Sequence, residues 1–307
     1  MRIGFVGAGG IGSYYAGLLS RAGHEVKLFA RGDHLEAICS SGLEVRTPKE
    51  RFVARPDASS HGDVVANCEV VFVAVKSYSL TEVGPVVVEA ARNGAAIVGL
   101  LNGVDIAERL RGLGVPRERI VGGLVRASIV RSAPGVVERL SEFDRVTIGE
   151  FDGTVSDRVS RTAAALRDAG VASAVSDDIS HDLWRKFAFI VPMNVACGLS
   201  RRAMGYSLAT ERGRALVAGS LHEIVLVARA CDVALTEQQE VFLRNDLFAL
   251  APETRPSFLL DLERGGPTEL DLLAGTVSRL GGLRGVPTPI HDVAVAAFEA
   301  ATLPVTE

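Results

Sequence analysis

Cysteine and histidine are scarce in this sequence, and neither is clustered. The 307 residues include four cysteines and six histidines. No two cysteines lie close enough along the chain to form a metal-binding knuckle or a redox pair, so we expect buried free thiols in a reducing cytosol and no metal site. The cysteines are Cys39, Cys68, Cys197 and Cys231.

The sequence also lacks a membrane-spanning apolar run and a strong net charge. The longest candidate span, residues 187–199, is interrupted by Pro192, and the amino terminus has no signal-peptide pattern. A formal net charge of −4 gives no indication of a nucleic acid or of an anionic membrane as a partner. We therefore expect a cytoplasmic protein that binds neither nucleic acid nor membrane.

The first part of the chain alternates short apolar runs with helical patterns. Strands are predicted at residues 3–6, 25–30, 70–75 and 95–101, with antiparallel strands within 136–149 closing the sheet; helices are predicted at 11–22 and 155–170. This alternation is typical of a doubly wound, Rossmann-type α/β sheet. We predict that it forms a domain of residues 1–178.

The rest of the chain, residues 179–307, contains helical patterns and no convincing strand. Helices are predicted at 180–199 (kinked by Pro192), 212–231, 237–250, 268–280 and 289–301. We predict an all-helical second domain that carries the substrate-binding and catalytic residues. Its apolar helices could bury a homodimer interface or form the core of a monomer.

A glycine-rich run follows the first predicted strand and opens the first helix. It fits the pattern G-x-G-x-x-G with Gly7, Ala8, Gly9, Gly10, Ile11 and Gly12. In this context the first glycine permits a tight turn, the second lets the backbone approach a pyrophosphate, and the third lets helix and strand pack closely. The positive helix amino terminus also attracts phosphate. The run therefore predicts a dinucleotide site; the alternative is a glycine-rich turn without a ligand.

The second strand predicts which dinucleotide binds. NAD-selective sites usually have an acidic residue at the end of this strand, where it holds the ribose 2′-hydroxyl. Here the strand ends with Arg31, whose guanidinium can hold a 2′-phosphate and stack on adenine. We therefore predict NADPH, unless Arg31 is an ordinary surface residue.

Further segments give the chain a resemblance to the ketopantoate reductase (2-dehydropantoate 2-reductase) family over nearly its whole length. They are residues 7–12, Arg31, 75–77, 101–103, 184–187, Asn194, 256–257, 267–271 and 285–289. The resemblance implies NADPH-dependent reduction of 2-dehydropantoate to pantoate, a step toward pantothenate and coenzyme A. It also implies roles for particular residues.

Lys186 resembles the family's catalytic lysine, which gives the carbonyl oxygen its proton. Its neighbours on the predicted helix are apolar, so partial burial would lower the pKa of its amine toward neutrality. The alternative is a lysine whose chain extends along an apolar surface to water. Lys76 and Asn102 follow predicted buried strands, where ligands of α/β sheets bind, and correspond to family residues that contact cofactor and substrate. For Asn102 the alternative is an ordinary Asn-Gly turn.

Asn194 lies two turns beyond Lys186 and corresponds to a family residue that hydrogen-bonds the substrate. Between them, Ile190 replaces an asparagine that the family commonly has. Isoleucine cannot donate a hydrogen bond to a substrate hydroxyl, so another branched or bulky 2-oxo acid is an alternative substrate. A non-catalytic protein that senses NADP(H) is a third hypothesis, against which the retained polar residues argue.

Two residues late in the chain complete the predicted site. Ser257 corresponds to the family serine that binds the substrate carboxylate, and Glu269 to the glutamate near the nicotinamide ribose. Each also has a structural alternative. Ser257 could be a helix N-cap, and Glu269 could occupy the first turn of a helix capped by Thr268.

Overall fold

The computed structural model describes residues 1–302 and divides the chain into two compact units. The first unit contains Met1–Leu101 and Asp105–Ile179, and the second contains Asn102–Val104 and residues 180–302. Each unit has its own apolar core of buried side chains.

Twelve strands lie in the first unit. They are β1 (Arg2–Val6), β2 (Glu25–Phe29), β3 (Leu43–Arg46), β4 (Arg51–Ala54), β5 (Asp57–Ser59), β6 (Val70–Val73), β7 (Ala96–Gly99), β8 (Ile120–Arg126), β9 (Ile129–Ala133), β10 (Val136–Arg139), β11 (Arg145–Gly149) and β12 (Ala172–Val175). Eight of them form one sheet in the order β12-β11-β8-β7-β6-β1-β2-β5. Six neighbouring strands of this sheet pair in parallel, in the order β8-β7-β6-β1-β2-β5. Strand β11, in contrast, is antiparallel to β8. Because both faces of this sheet are covered, every residue of β6 and β7 is buried.

The remaining strands form a second sheet, in the order β4-β3-β10-β9. The prediction that the whole segment 136–149 closes the main sheet is therefore wrong for β10, which pairs with β3 and β9. Only β11 adds to the main sheet. The second sheet was not predicted, because its strands are short and partly exposed and its two hairpins, β3-β4 and β9-β10, are joined only by the long-range pairing of β3 with β10.

Five α-helices belong to the first unit. They are α1 (Gly10–Arg21), α2 (Gly32–Ser41), α3 (Leu80–Arg92), α4 (Ile106–Gly112) and α5 (Asp157–Asp168). Helix α1 contacts strands of both sheets, and residues 12–19 are accordingly all buried. Short 3₁₀ helices occur at Gly62–Val65, Ser77–Ser79 and Arg117–Arg119.

Within the described residues, the second unit contains helices and no strand. Its helices are α6 (Ile179–Ser200), α7 (Met204–Leu208), α8 (Glu211–Ala230), α9 (Glu237–Phe248), α10 (Ser257–Glu263), α11 (Ala274–Arg284) and α12 (Pro289–Thr302). Helix α6 continues through Pro192. The helix predicted at 268–280 begins six residues later than expected, because residues 270–273 form a turn. The α/β fold followed by a helical region is thus confirmed.

The four cysteines are free thiols, as expected, but their burial differs. Cys68 and Cys197 are buried, Cys231 is partly buried, and Cys39 is exposed. The expectation of burial is wrong for Cys39, because it lies on the solvent-facing side of α2. The buried residues of that helix are His34 and Ile38.

Candidate functional site

The glycine run forms a tight turn between β1 and α1. Gly7 has a φ of +108°, a conformation that favours glycine. A Cβ at Gly7 would lie 2.7 Å from Val75 Cγ1, and a Cβ at Gly12 would lie 1.9 Å from the Gly7 carbonyl oxygen. The packing of strand and helix therefore requires glycine at both positions.

Gly9 differs from these two glycines, because the fold leaves space beside it. A Cβ there would lie 3.9 Å from its nearest neighbour, the Ala74 carbonyl oxygen, and the residue is exposed. Gly9 is the N-cap of α1, and no side chain caps the helix or places an acid in its first turn. Open space next to uncapped N–H groups fits a phosphate group.

The other members of the run support the loop. A Cβ at Gly10 would lie 2.7 Å from the Ile129 carbonyl oxygen, so β9 packs directly on the start of α1. Ala8 and Ile11 are partly buried and pack against the first core. The loop is thus packed against β9 and against the first core.

Arg31 follows β2, as predicted, and its guanidinium is already engaged. Its Nη1 donates a hydrogen bond to Glu82 Oε1 on α3, and its Cζ lies 4.9 Å from the centre of the Phe29 ring. Both charged side chains are about half exposed. Glu82 therefore holds the group that is predicted to bind a 2′-phosphate. Sequence reasoning missed Glu82, which lies 51 residues from Arg31 with no motif around it.

Lys76 lies just beyond the carboxyl end of β6, beside the glycine loop in the sheet order. Strand β6 pairs in parallel with β1, and Val75 is the neighbour of Gly7 noted above. The Lys76 carbonyl accepts a hydrogen bond from Ser79 N–H at 2.9 Å, which starts the 3₁₀ turn. The structure thus places Lys76 on the same sheet edge as the glycine loop.

In the second unit, Lys186 of α6 is hydrogen-bonded to Asn102. The Lys186 Nζ donates to Asn102 Oδ1 at 2.7 Å. Lys186 is half-buried, next to the buried side chains of Trp184 and Phe187. The amine is therefore oriented by a neutral acceptor instead of simply extending to water. Asn102 lies in a bend, but its side chain accepts a hydrogen bond from Lys186. An ordinary Asn-Gly turn does not require this contact.

Asn194 is buried on the same helix, and both ends of its amide make contacts. Its Nδ2 donates to the Ile190 carbonyl oxygen at 2.6 Å, and its Oδ1 accepts from Phe258 N–H at 3.3 Å. The second contact holds the first turn of α10 against α6. One N–H of Nδ2 remains beyond the bond to Ile190.

Ser257 is exposed at the first position of α10, after the N-cap residue Pro256, and no side-chain cap is present. The N-cap alternative for Ser257 is therefore wrong. The Ser257 hydroxyl makes no hydrogen bond within the described part of the chain, so it is open to a ligand.

Glu269 is buried and lies before α11, not inside it. Its carbonyl oxygen accepts a hydrogen bond from Leu273 N–H at 3.0 Å in the turn that precedes the helix. Since α11 begins at Ala274, the alternative of a Thr268-capped helix with Glu269 in its first turn is wrong. A buried carboxylate in an irregular segment is an unusual placement, and it is consistent with a binding role.

Residues 1–302 contain neither a cluster of metal-binding side chains nor a membrane-spanning helix. No group of three or more histidine, cysteine, aspartate or glutamate side chains is arranged to hold a metal ion. No helix in that range is both long enough and apolar enough to cross a membrane.

Comparison with known proteins covers both units. The family model described as Ketopantoate reductase PanE/ApbA matches residues 3–153, and the one described as Ketopantoate reductase PanE/ApbA C terminal matches residues 178–301. The 2-dehydropantoate 2-reductase of Mesorhizobium japonicum is 30% identical over 319 residues, covering 96% of this chain and 96% of the relative.

Solved structures share this fold over nearly the whole chain. The crystal structure of 2-dehydropantoate 2-reductase from Geobacter metallireducens has a TM-score of 0.89 and 29% identity, covering 98% of this chain and 100% of that chain. D-mandelate dehydrogenase with NADH and anilino(oxo)acetate has a TM-score of 0.86 at 23% identity, covering 98% of both chains, and has the same fold. The chain therefore belongs to the ketopantoate reductase family, whose members are oxidoreductases that act on CH–OH groups with a nicotinamide cofactor.

Proposed function

We propose that the protein reduces 2-dehydropantoate to pantoate with NADPH, in the route to pantothenate, and that Lys186 donates the proton. The observation that carries this proposal is the 2.7 Å hydrogen bond from Lys186 Nζ to Asn102 Oδ1. A relative 30% identical over 96% of this chain is a 2-dehydropantoate 2-reductase, which supports the same substrate here.

Reduction of a 2-oxo acid needs one hydride at the carbonyl carbon and one proton at the carbonyl oxygen. When bound, the dihydronicotinamide supplies the hydride. Lys186 Nζ, in its ammonium form, gives its proton to the oxygen that becomes the hydroxyl. The Asn102 side-chain oxygen accepts a hydrogen bond from that ammonium, and thereby fixes the direction of the remaining N–H bonds.

The other residues are proposed to bind and orient the ligands. The Gly7–Gly12 run, with Ala8, Gly9, Gly10 and Ile11, would hold the pyrophosphate, and Arg31 the 2′-phosphate. Lys76 and Asn102 would contact cofactor, and Glu269 the nicotinamide ribose. Asn102, Asn194 and the open Ser257 hydroxyl would bind substrate. A cytoplasmic location and a homodimer stay predictions.

One observation favours a second candidate substrate, another branched or bulky 2-oxo acid. Ile190 lies one helical turn from both Lys186 and Asn194, is half-buried, and packs against the second core. An apolar side chain there suits a substrate that lacks the hydroxyl group of 2-dehydropantoate, because a buried hydroxyl without a partner costs about 1–3 kcal/mol.

A panel of 2-oxo acids, assayed with NADPH and with NADH, tests both candidates. We expect the highest kcat/KM for 2-dehydropantoate with NADPH. A higher value for another 2-oxo acid would favour the second candidate. If no 2-oxo acid supports turnover beyond one equivalent of cofactor, the protein is not a reductase of this kind and a cofactor-sensing role takes its place.

A further inference from the structure

The first unit contains a cavity that the proposed reaction does not use. Its volume is about 500 Å³, and its walls come from α1, the turn between β3 and β4, the segment from Arg139 to Arg145, and the residues around the start of β12. This volume is in the range of sites that bind small metabolites. None of the residues assigned above to cofactor or substrate lines it.

Four cationic and three acidic side chains line this cavity, and two of the three acids already have partners within the protein. Glu50 forms an ion pair with Arg21 at 2.8 Å. Asp144 accepts hydrogen bonds from Tyr14 Oη at 3.0 Å and from Tyr15 Oη at 2.7 Å. The third acid, Glu142, is exposed.

The two tyrosines are held in the form that donates to Asp144. Burial, reinforced by the Asp144 charge, raises the pKa of the Tyr14 hydroxyl above its ordinary value, and the same causes act on Tyr15. Both hydroxyls therefore stay protonated and satisfy the carboxylate from inside the protein. The Asp144 carboxylate is thus hydrogen-bonded toward the protein interior. It therefore pairs less with the cationic side chains of the cavity than an exposed carboxylate would, and leaves them to an anionic ligand.

Three of the cations, Lys49, Arg139 and Arg145, keep hydrogen-bond donors that have no partner among the described residues. The Arg139 Nη1 donates to the Glu142 carbonyl oxygen at 2.9 Å, but its Nε is buried without a partner among the described residues. Lys49 and Arg145 are exposed, and their side chains form no ion pair within residues 1–302. A buried, unsatisfied guanidinium N–H is costly unless a ligand or water accepts it.

We propose that this cavity binds a small organic oxyanion that carries two or more negative charges, recognised by Lys49, Arg139 and Arg145. Guanidinium groups bind phosphate and carboxylate oxygens through paired, charge-assisted hydrogen bonds. Leu18 and Phe143, which also line the cavity, offer apolar contact for the carbon skeleton. The site is separate from the proposed reductase chemistry and does not depend on it.

Calorimetric titration of the full chain tests this site, with glucose 6-phosphate and citrate as probes and glucose as the uncharged control. We expect one or both anions to bind and glucose not to bind. Arg145→Ala should weaken binding about tenfold or more, because a charge-assisted hydrogen bond to an anion is lost. Glu142→Gln should strengthen binding about threefold, since it removes a like charge from the rim.

Two exposed arginines outside the cavity serve as matched controls. Arg55→Ala and Arg31→Ala should leave anion binding unchanged. Loss of binding in Arg31→Ala would mean that the probes occupy the dinucleotide site, and it would overturn the proposal. Equal affinities in wild type and Arg145→Ala, with thermal unfolding unchanged, would also overturn it, as would the absence of binding by both anions at millimolar concentration.

Discussion

Arg31 donates a hydrogen bond to Glu82, so the residue predicted to hold the cofactor's 2′-phosphate is paired with a carboxylate from α3. If Arg31 binds the 2′-phosphate as proposed, the phosphate would displace that carboxylate from the guanidinium. Under the proposed function, this pair would set the balance between NADPH and NADH.

Substitution of each partner should move this balance in opposite directions. Arg31→Gln should raise the KM for NADPH about tenfold or more and leave that for NADH nearly unchanged, because a charge-assisted bond to phosphate is lost. Glu82→Gln should lower the KM for NADPH, since it frees the guanidinium. Initial-rate kinetics with both cofactors provide the measurement. Equal changes for NADPH and NADH in Arg31→Gln would contradict the assignment.

The Lys186–Asn102 hydrogen bond predicts that substitution of either residue lowers kcat, by a larger factor for Lys186 than for Asn102. Lys186→Ala should lower kcat about 10²–10⁴-fold, the usual contribution of a general acid. Asn102→Ala should lower kcat less, because the ammonium remains but loses the acceptor that orients it. Arg185→Ala is the matched control, since Arg185 is the adjacent cation and stacks on Phe242. Wild-type turnover in Lys186→Ala would exclude this lysine as the proton donor.

The buried His34 should make the folded protein less stable to unfolding in mild acid. Gly135 N–H donates to its Nδ1 at 2.8 Å, so the ring proton is on Nε2, 3.0 Å from Ser13 Oγ. Burial, with a smaller contribution from Arg131, lowers the pKa of His34 from 6.5 to about 4. The folded state therefore excludes a proton that the unfolded chain binds below pH 6.5.

The free energy of unfolding should accordingly be unaffected by His34 above pH 6.5 and fall as the pH drops from 6.5 toward 4. The slope from this one group is at most about 1.4 kcal/mol per pH unit. Urea unfolding of wild type and His34→Gln at pH 7.5 and pH 4.5 tests this, because glutamine does not titrate. The wild type should lose more stability between the two pH values; equal losses would mean that His34 is protonated in the fold.

Substitution of Glu223, in the second unit, should affect the stability of the fold and not the chemistry of the reaction. Its carboxylate accepts from Ile290 N–H at 2.8 Å and His291 N–H at 3.2 Å, and lies 2.6 Å from His291 Nδ1. Ser220 Oγ lies 3.1 Å from His291 Nε2. The serine and histidine are fully buried, so this Ser-His-Glu arrangement ties α8 to the start of α12 and is closed to substrates.

Glu223→Gln should therefore lower the free energy of unfolding by about 1–3 kcal/mol, because a buried donor loses its acceptor. The adjacent His222→Ala should change it by less than about 1 kcal/mol, since the His222 pair with Glu240 is at the surface. Denaturant unfolding measures both. Equal effects of the two substitutions would show that Glu223 does not cap α12.

The parts of this protein that could be predicted from sequence are those whose physical cause is local. Gly7 and Gly12 follow from backbone geometry within a single strand-turn-helix unit, and β6 from a short apolar run. The second sheet could not be found this way, since β3 and β10 pair across a long stretch of chain. The start of α11 was misplaced because the turn before it has a helix-like sequence pattern.

The site residues divide in the same way. The resemblance to a family identified Lys186 and Asn102, but their contact joins residues 84 positions apart, and no local pattern encodes that distance. Glu82 was missed for the same reason. Conversely, the structural alternatives for Ser257 and Glu269 were reasonable by local rules, and failed because the helices begin elsewhere.

Ile190 gives the prediction that bears most directly on substrate choice. It lies four residues from both Lys186 and Asn194 on α6, and its carbonyl oxygen accepts the Asn194 amide. Ile190→Asn supplies a hydrogen-bond donor where the resemblance to the family predicts one. If the natural substrate is 2-dehydropantoate, a new net hydrogen bond of about 1 kcal/mol should raise its kcat/KM about fivefold relative to 2-oxo acids without a hydroxyl group. Ile190→Val, which stays apolar, should leave that ratio unchanged. A uniform loss across all substrates in Ile190→Asn would instead mean that Ile190 serves only to pack α6 against the second core.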